Sequence, residues 1–394
     1  MNPIEIKLPR WKHSGGLRVL IVPDKFKGTL AAPGVCAAIA AGWKSVRPED
    51  VLEWLPMSDG GDGFGEAMGG LLKARVRSVK TMDAAHRPVT IKWWWEPEKK
   101  LAIVEAARVN GLAGLPPKKF HPFQLDTFGL GRVLADAAES GARRCLVGIG
   151  GSATNDGGFG LARSLGWKFF DGGGCELDQW WQLDSLVRVV PPLKSLKLPI
   201  TVAVDVLNPL LGARGCSRVY GPQKGLRMED MAFAERCLRR LKIVLEQQCK
   251  IRHATTPGAG AAGGLGFGLM AFAGAQARSG FELFAEAANL EKRIRRSDLV
   301  ITGEGAVDRQ TFMGKGVGQV AQLCRKRNVP CIAVAGAVKV PAKTGTLFSS
   351  MSALTEIATL EQARRRAAHH LEKLAAAIAR NGFSRSTMAK SMIL

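Results

Sequence analysis

Twice near its start the chain passes from a continuous apolar run, through a loop of carboxylates, hydroxyls and glycines, into a helical pattern. Its last third returns to that rhythm. Residues 17–23 (LRVLIVP) form an unbroken, β-branched stretch. A run with no polar alternation suits a strand covered on both faces, as in a parallel sheet. The polar turn at 24–29 follows, then helical spacing over 31–43. The second pass is a strand-like run at 51–57, a Gly/Asp loop at 58–65 and a helix through Leu72. Near the other end, residues 297–302 (SDLVIT) read as a buried strand ended by Gly303-Glu304-Gly305, with a helix at 316–327, a strand at 330–335 and an amphipathic helix at 361–379. This strand–loop–helix alternation predicts an α/β fold: a doubly wound parallel-sheet domain formed by both termini.

Between those ends the pattern is more mixed. Strands are expected at 89–95 and 101–106 near a hairpin, at 145–149 and at 201–206; helices at 126–140, 156–165 and 228–250. The Gly- and Ala-rich stretch 257–268 leads into a helix expected to reach Ala277. The reading is an inserted second α/β domain at 76–290, within a split domain of 1–75 and 291–394. Trp93-Trp94-Trp95 would alternate across a sheet, packing between layers rather than stacking on bases.

The 394 residues are ample for two cores, and 46% are apolar. A net charge of +22 raises nucleic-acid binding, but the basic residues come in short groups such as Arg293, Arg295 and Arg296 flanking apolar helical segments. Solvated helix faces and anionic small substrates account for them, and no nucleic-acid partner is expected. Eight cysteines without a C-x-x-C pair point to free thiols in a reducing, cytoplasmic setting. The N-terminal stretch shows no signal peptide and no run reaches membrane-spanning length. A homo-oligomer stays open.

Four loops at predicted strand ends could carry chemistry, which is where open α/β sheets place ligands. The first, DKFKGT, holds Asp24, Lys27 and a flexible glycine at a helix start suited to anions; its plainer role is an N-cap at Thr29. The second, SDGGDG, sets Asp59 and Asp62 around Gly60 and Gly61, able to hold hydrated Mg²⁺ or to accept a hydroxyl proton, or simply to turn. The third, GIGGSATNDGG, carries Gly150, Gly151, Ser152, Asn155 and Asp156. Its G-x-G-x-x-A string allows a dinucleotide site, yet the crowding of hydroxyls and amides favours cradled phosphates. The fourth runs from Thr302 through Gly303, Glu304, Gly305 and Asp308, with Lys315 behind it. No Walker A string and no protein-kinase motif set is present.

Taken together, the segments VPDKFKGTL, LPMSDGGDGFGEA, VGIGGSATNDGGFG, VAVDVLNPLLGARG with GPQKG, PGAGAAGGLGFGL and LVITGEGAVDRQTFMGKG resemble the type I glycerate kinase family over nearly the whole chain. The resemblance implies ATP and Mg²⁺, D-glycerate as acceptor with 2-phosphoglycerate favoured, and two α/β domains, one split and one inserted, with the site in the interdomain cleft between them. The family commonly has Ser where Lys25 stands and Glu where Asp62 stands.

Phosphoryl transfer asks for positioning, charge neutralisation and an in-line hydroxyl. The candidates to accept the proton or to hold Mg²⁺ are Asp59, Asp205, with Asn208 after it, and Asp308. Asp62 and Glu304 are the candidates for the metal, and Lys27 and Lys315 for phosphate or substrate carboxylate. The rivals are an NAD-linked dehydrogenase, a nucleic-acid binder and a catalytically dead structural relative, the last disfavoured because the loop carboxylates are retained.

Overall fold

The computed structural model describes residues 16–312, 316–339 and 347–381. Thirteen strands lie among them: β1 (Arg18–Pro23), β2 (Val51–Trp54), β3 (Arg75–Met82), β4 (Pro88–Glu96), β5 (Leu101–Glu105), β6 (Arg144–Gly148), β7 (Lys168–Asp171), β8 (Leu186–Val190), β9 (Ile200–Ala203), β10 (Gln276–Arg278), β11 (Leu299–Val307), β12 (Cys331–Val338) and β13 (Ser350–Ala353). The chain divides into two compact units, one from the described residues up to Ser58 and from Ala288 onward, the other Asp59–Ala287.

The first unit is built on a five-stranded, all-parallel sheet in the order β13-β12-β11-β1-β2. Its apolar runs serve both faces, as an unbroken pattern requires. Val19, Ile21, Leu299, Ile301, Ile332 and Val334 share one core with the helices Ala32–Lys44 and Ala367–Asn381. The helices Leu290–Arg296 and Gly316–Lys326 also pack on β1, β11 and β12. The one departure is at β11. Its ladder with β12 runs on through Glu304, Ala306 and Val307, so Gly303-Glu304-Gly305 extends the strand rather than ending it. The glycines make this feasible: a Cβ on Gly336 of β12 would strike the Gly305 carbonyl.

The second unit holds a six-stranded mixed sheet, β10-β9-β6-β5-β4-β3, in which the first four strands run parallel and β4 and β3 are antiparallel. Strand β3 (RVRSVKTM) is an addition to the sequence reading. It is a mostly exposed edge strand whose Arg and Lys residues blunt further pairing. The 257–277 stretch also differs. Its helix covers Ala261–Ala273, opens with left-handed Ala262, Gly263 and Gly264, and yields to β10.

The tryptophan run splits across the sheet as its period demands. Trp93 and Trp95 meet edge-on at 6.3 Å in the main core, and the Trp93 indole donates to Asp136 at 2.8 Å. Trp94 faces the other way, under helix Phe64–Leu71, which therefore belongs to this unit and not before the insertion. A Cβ on Gly65 or Gly69 would run into the Trp94 ring. Among the described residues no helix is long and apolar enough to cross a membrane.

Neighbouring glycines of this helix should therefore respond in opposite ways. Gly69→Ala overpacks against Trp94 and should cost about 1–3 kcal/mol. Gly70→Ala projects into open space and should be neutral or stabilise by up to about 1 kcal/mol through helix propensity. Urea midpoints of the two variants would check the opposite signs.

Candidate active site

In the second unit the ladder register brings four strand ends into line. Arg278 pairs with Ala203, Ala203 with Gly148 and Gly148 with Glu105. The residues that follow on β10, β9 and β6 consequently emerge side by side at the carboxyl edge of the sheet. They include Ser279, Asp205 and the loop from Gly150.

The SDGGDG loop lies across this edge with no room between backbones. Gly150 N–H donates to the Gly60 carbonyl at 3.0 Å, and a Cβ on Gly150 would stand 2.5 Å from the Gly61 Cα. Glu105 fastens the same loop from β5: its buried carboxylate accepts Gly63 N–H at 2.9 Å and Gly65 N–H at 3.1 Å. Nothing in the sequence around Glu105 marks it, because the loop amides it holds lie some forty residues away.

Asp205 follows β9 and accepts Ser279 Oγ at 3.2 Å and Gly280 N–H at 3.1 Å, both on Oδ1. A Cβ on Gly280 would strike the Asp59 carbonyl and stand 2.8 Å from Asp205 Oδ2. Although Asp205 has an open surface, the surrounding protein penalises its charge and Asp59 repels it; together they push its carboxyl up to about 7. Two carboxylates thus share one edge of the sheet, and one of them exchanges its proton near neutrality. Asp59 itself takes Gly61 N–H at 3.3 Å.

Several residues expected at the substrate make hydrogen bonds that hold the loops. Asp156 is buried and accepts Thr127 N–H, Thr127 Oγ1, Gly158 N–H and Gly160 N–H. Burial, with Asp126 nearby, raises its pKa. Asn155 is buried and donates to Ser217 Oγ at 2.9 Å, and Ser152 bonds to Thr154. Asn208 receives the Tyr220 hydroxyl and gives its amide to the Arg214 carbonyl, closing the loop after β9. Gly151, in a left-handed conformation at φ 79°, has Asp62 where its side chain would be.

Lys224, not singled out in the sequence, is buried and donates to the Thr154 carbonyl at 2.6 Å. Burial lowers its ammonium to about 8, against the opposing pull of Cys216 and Asp156. It braces the 148–158 loop from beneath.

In the first unit, Asp24 follows β1, with its N–H on the Gly303 carbonyl and its carboxylate on Lys25 N–H. Lys27 is exposed on the turn lying against Gly305. Glu304 is buried and accepts the Thr311 hydroxyl at 2.6 Å. Asp308 caps the short helix Arg309–Phe312, accepting Gln310 N–H at 2.8 Å. Lys315 lies outside the described residues.

For a divalent cation, no group of three or more His, Cys, Asp or Glu side chains is gathered among the described residues. A nucleotide-bound Mg²⁺ asks for less, commonly one or two carboxylates beside phosphate and water. Asp62 fits that demand, since its carboxylate occupies the space that Gly151 leaves open. Glu304, committed to Thr311, fits it less well.

A parallel-sheet α/β protein with glycine loops and paired carboxylates at its strand ends has the parts of a small-molecule phosphotransferase. Comparison with known proteins narrows this. The glycerate kinase family profile matches residues 19–382, and the chain belongs to that family. It is 37% identical to the glycerate 2-kinase of Escherichia coli K12 over 359 residues, covering 89% of this chain and 93% of that one. It is 33% identical to the glycerate kinase of Bacillus subtilis 168, covering 96% and 100%. A crystal structure provisionally named glycerate kinase 2, from Salmonella typhimurium LT2, superposes with a TM-score of 0.77 at 32% identity, covering 96% of this chain and all of that one.

Lys224→Met tests the brace. It should cost about 1–3 kcal/mol by leaving the Thr154 carbonyl without its donor. The gap to wild type should widen as pH rises from about 8 toward the 10.5 of a free lysine. Over that window the unfolded chain holds a proton that the folded chain has released, so wild-type stability climbs. Denaturant midpoints of both proteins between pH 7 and 10.5 would show it.

Proposed function

We propose that the protein transfers the γ-phosphoryl of ATP to a hydroxyl of D-glycerate, giving ADP and 2-phosphoglycerate, with its two units as the two domains of the fold. The observation that carries the mechanism is Asp205, which stands beside Asp59 at the carboxyl edge of the sheet with a pKa of about 7. A base poised there takes a proton well at physiological pH. Asp205 Oδ1 is held by Ser279 and Gly280, which leaves Oδ2 to receive the glycerate hydroxyl proton. As the hydroxyl oxygen bonds to the γ-phosphorus, the bond from that phosphorus to the ADP oxygen breaks and the proton passes to Asp205. Asp59 keeps Asp205 basic through its charge.

The glycine loops at 60–61 and 150–151 let backbone amides approach phosphate oxygens without side-chain obstruction. Lys27 supplies a cation for phosphate or substrate carboxylate. Asp62 would hold Mg²⁺, which when bound would supply charge neutralisation for the transferring phosphoryl group. Asn155, Asp156 and Asn208 position these loops. Asp308 is assigned to its helix cap and Glu304 to Thr311. The eight free cysteines, six of them buried, support a cytoplasmic setting.

Incubation with Mg-ATP and D-glycerate, followed by NMR of the product, should yield 2-phosphoglycerate; ADP release that ignores glycerate would defeat the reading. Asp205→Asn should lower kcat by roughly a hundred- to ten-thousandfold. At neutral pH and above it should be at least as stable as wild type, because it removes a carboxylate whose charge folding disfavours. Wild-type kcat/KM should fall as pH drops below about 7.

A further inference from the structure

We propose that Ser279 is a positioning residue that sets both the orientation and the proton affinity of Asp205; this rests on the reading of Asp205 as base. The residue sits immediately after β10, at the start of helix Gly280–Ala287. Its hydroxyl has two partners. Glu282 N–H donates to it at 3.3 Å, the ordinary service of an N-cap serine, and the hydroxyl proton is directed to Asp205 Oδ1 at 3.2 Å. Gly280 N–H joins the same oxygen at 3.1 Å, and the Phe281 amide adds to the stabilisation.

The helix start and the serine therefore act on Asp205 together. Both donors the structure gives Oδ1 come from this one turn, so Oδ1 is the anchored oxygen and Oδ2 the working one. The turn comes close enough only because residue 280 has no side chain: a Cβ there would stand 2.8 Å from Oδ2 and strike the Asp59 carbonyl. Arg278, next in the chain, is turned away into an ion pair with Glu286. Within this unit the charged group that acts on Asp205 is Asp59. Burial and Asp59 favour the protonated form, while Ser279 and the two amides favour the charged one. Removing the hydroxyl tips that balance toward protonation.

An N-cap role alone would predict something different. Losing a cap lowers helix and protein stability but leaves the proton affinity of Asp205 and its aim unchanged. Three variants separate the two roles. Ser279→Ala loses both bonds, Ser279→Thr keeps both, and Ser279→Asp keeps an N-cap acceptor but has no proton to donate.

The test is steady-state kinetics with Mg-ATP and D-glycerate from pH 5.5 to 9, with thermal melts of each variant. Ser279→Ala and Ser279→Asp should lower kcat roughly tenfold, the scale of one hydrogen bond to a charged group. KM for either substrate should stay within about twofold, because the hydroxyl acts on the base and not on bound ligands. The acid limb of the kcat/KM profile should move to higher pH in both. Ser279→Thr should restore rate and limb. The inference is overturned if Ser279→Ala and Ser279→Asp keep the wild-type limb and kcat while Asp205→Asn is inactive. It is also overturned if Ser279→Asp, melting like wild type, recovers full activity. Near-normal turnover by Asp205→Asn would instead remove the base assignment itself.

Discussion

Backbone meeting backbone without an intervening Cβ is the constraint on which the second unit depends. The SDGGDG loop rests on the sheet edge at Gly150 and Gly61, and the turn before helix Gly280–Ala287 closes on Asp59. Each approach brings a polar main-chain group or a carboxylate within bonding range of another loop. The register of β10, β9, β6 and β5 makes the meeting feasible by ending those strands in line. The price is chemical: Asp205 and Asp59 are held where both charges cannot be comfortable, and a carboxyl that titrates near 7 is the result.

Around that edge, a second set of residues keeps the loops in place. Glu105 ties the start of helix Phe64–Leu71, Asp156 ties the start of Phe159–Ser164, and Lys224 holds the Thr154 carbonyl. All three are buried ionisable groups that neighbouring donors or acceptors satisfy. Burying a charge without partners is costly, so these residues specify one arrangement of the loops and tolerate few others.

The sequence displayed most of the first unit because β1, β12 and the start of β11 are apolar runs, a pattern with few alternatives. It concealed β3, whose alternating Arg, Lys and Val serve an exposed edge, and β10, three residues beyond a Gly/Ala helix. The carboxylates of the strand-end loops were visible as candidates. Their division of labour was not. Asp59 and Asp156 look equally catalytic in a line of text; only depth separates one at the edge from one bound by four donors beneath it. Ser279 and Lys224 are single polar residues whose meaning comes from partners about seventy residues away.

The continuation of β11 through Gly303, Glu304 and Gly305 has an evolutionary corollary. Gly303 and Glu304 are rungs paired across to β12, the ladder resumes at Ala306, and successive side chains point to opposite faces. Lengthening the segment by a single codon would swing Glu304 away from Thr311 and exchange inside for outside for everything downstream in the strand. Relatives of this chain can therefore vary in the composition of that stretch more readily than in its length, and insertions should gather outside the paired rungs of β11 and β12.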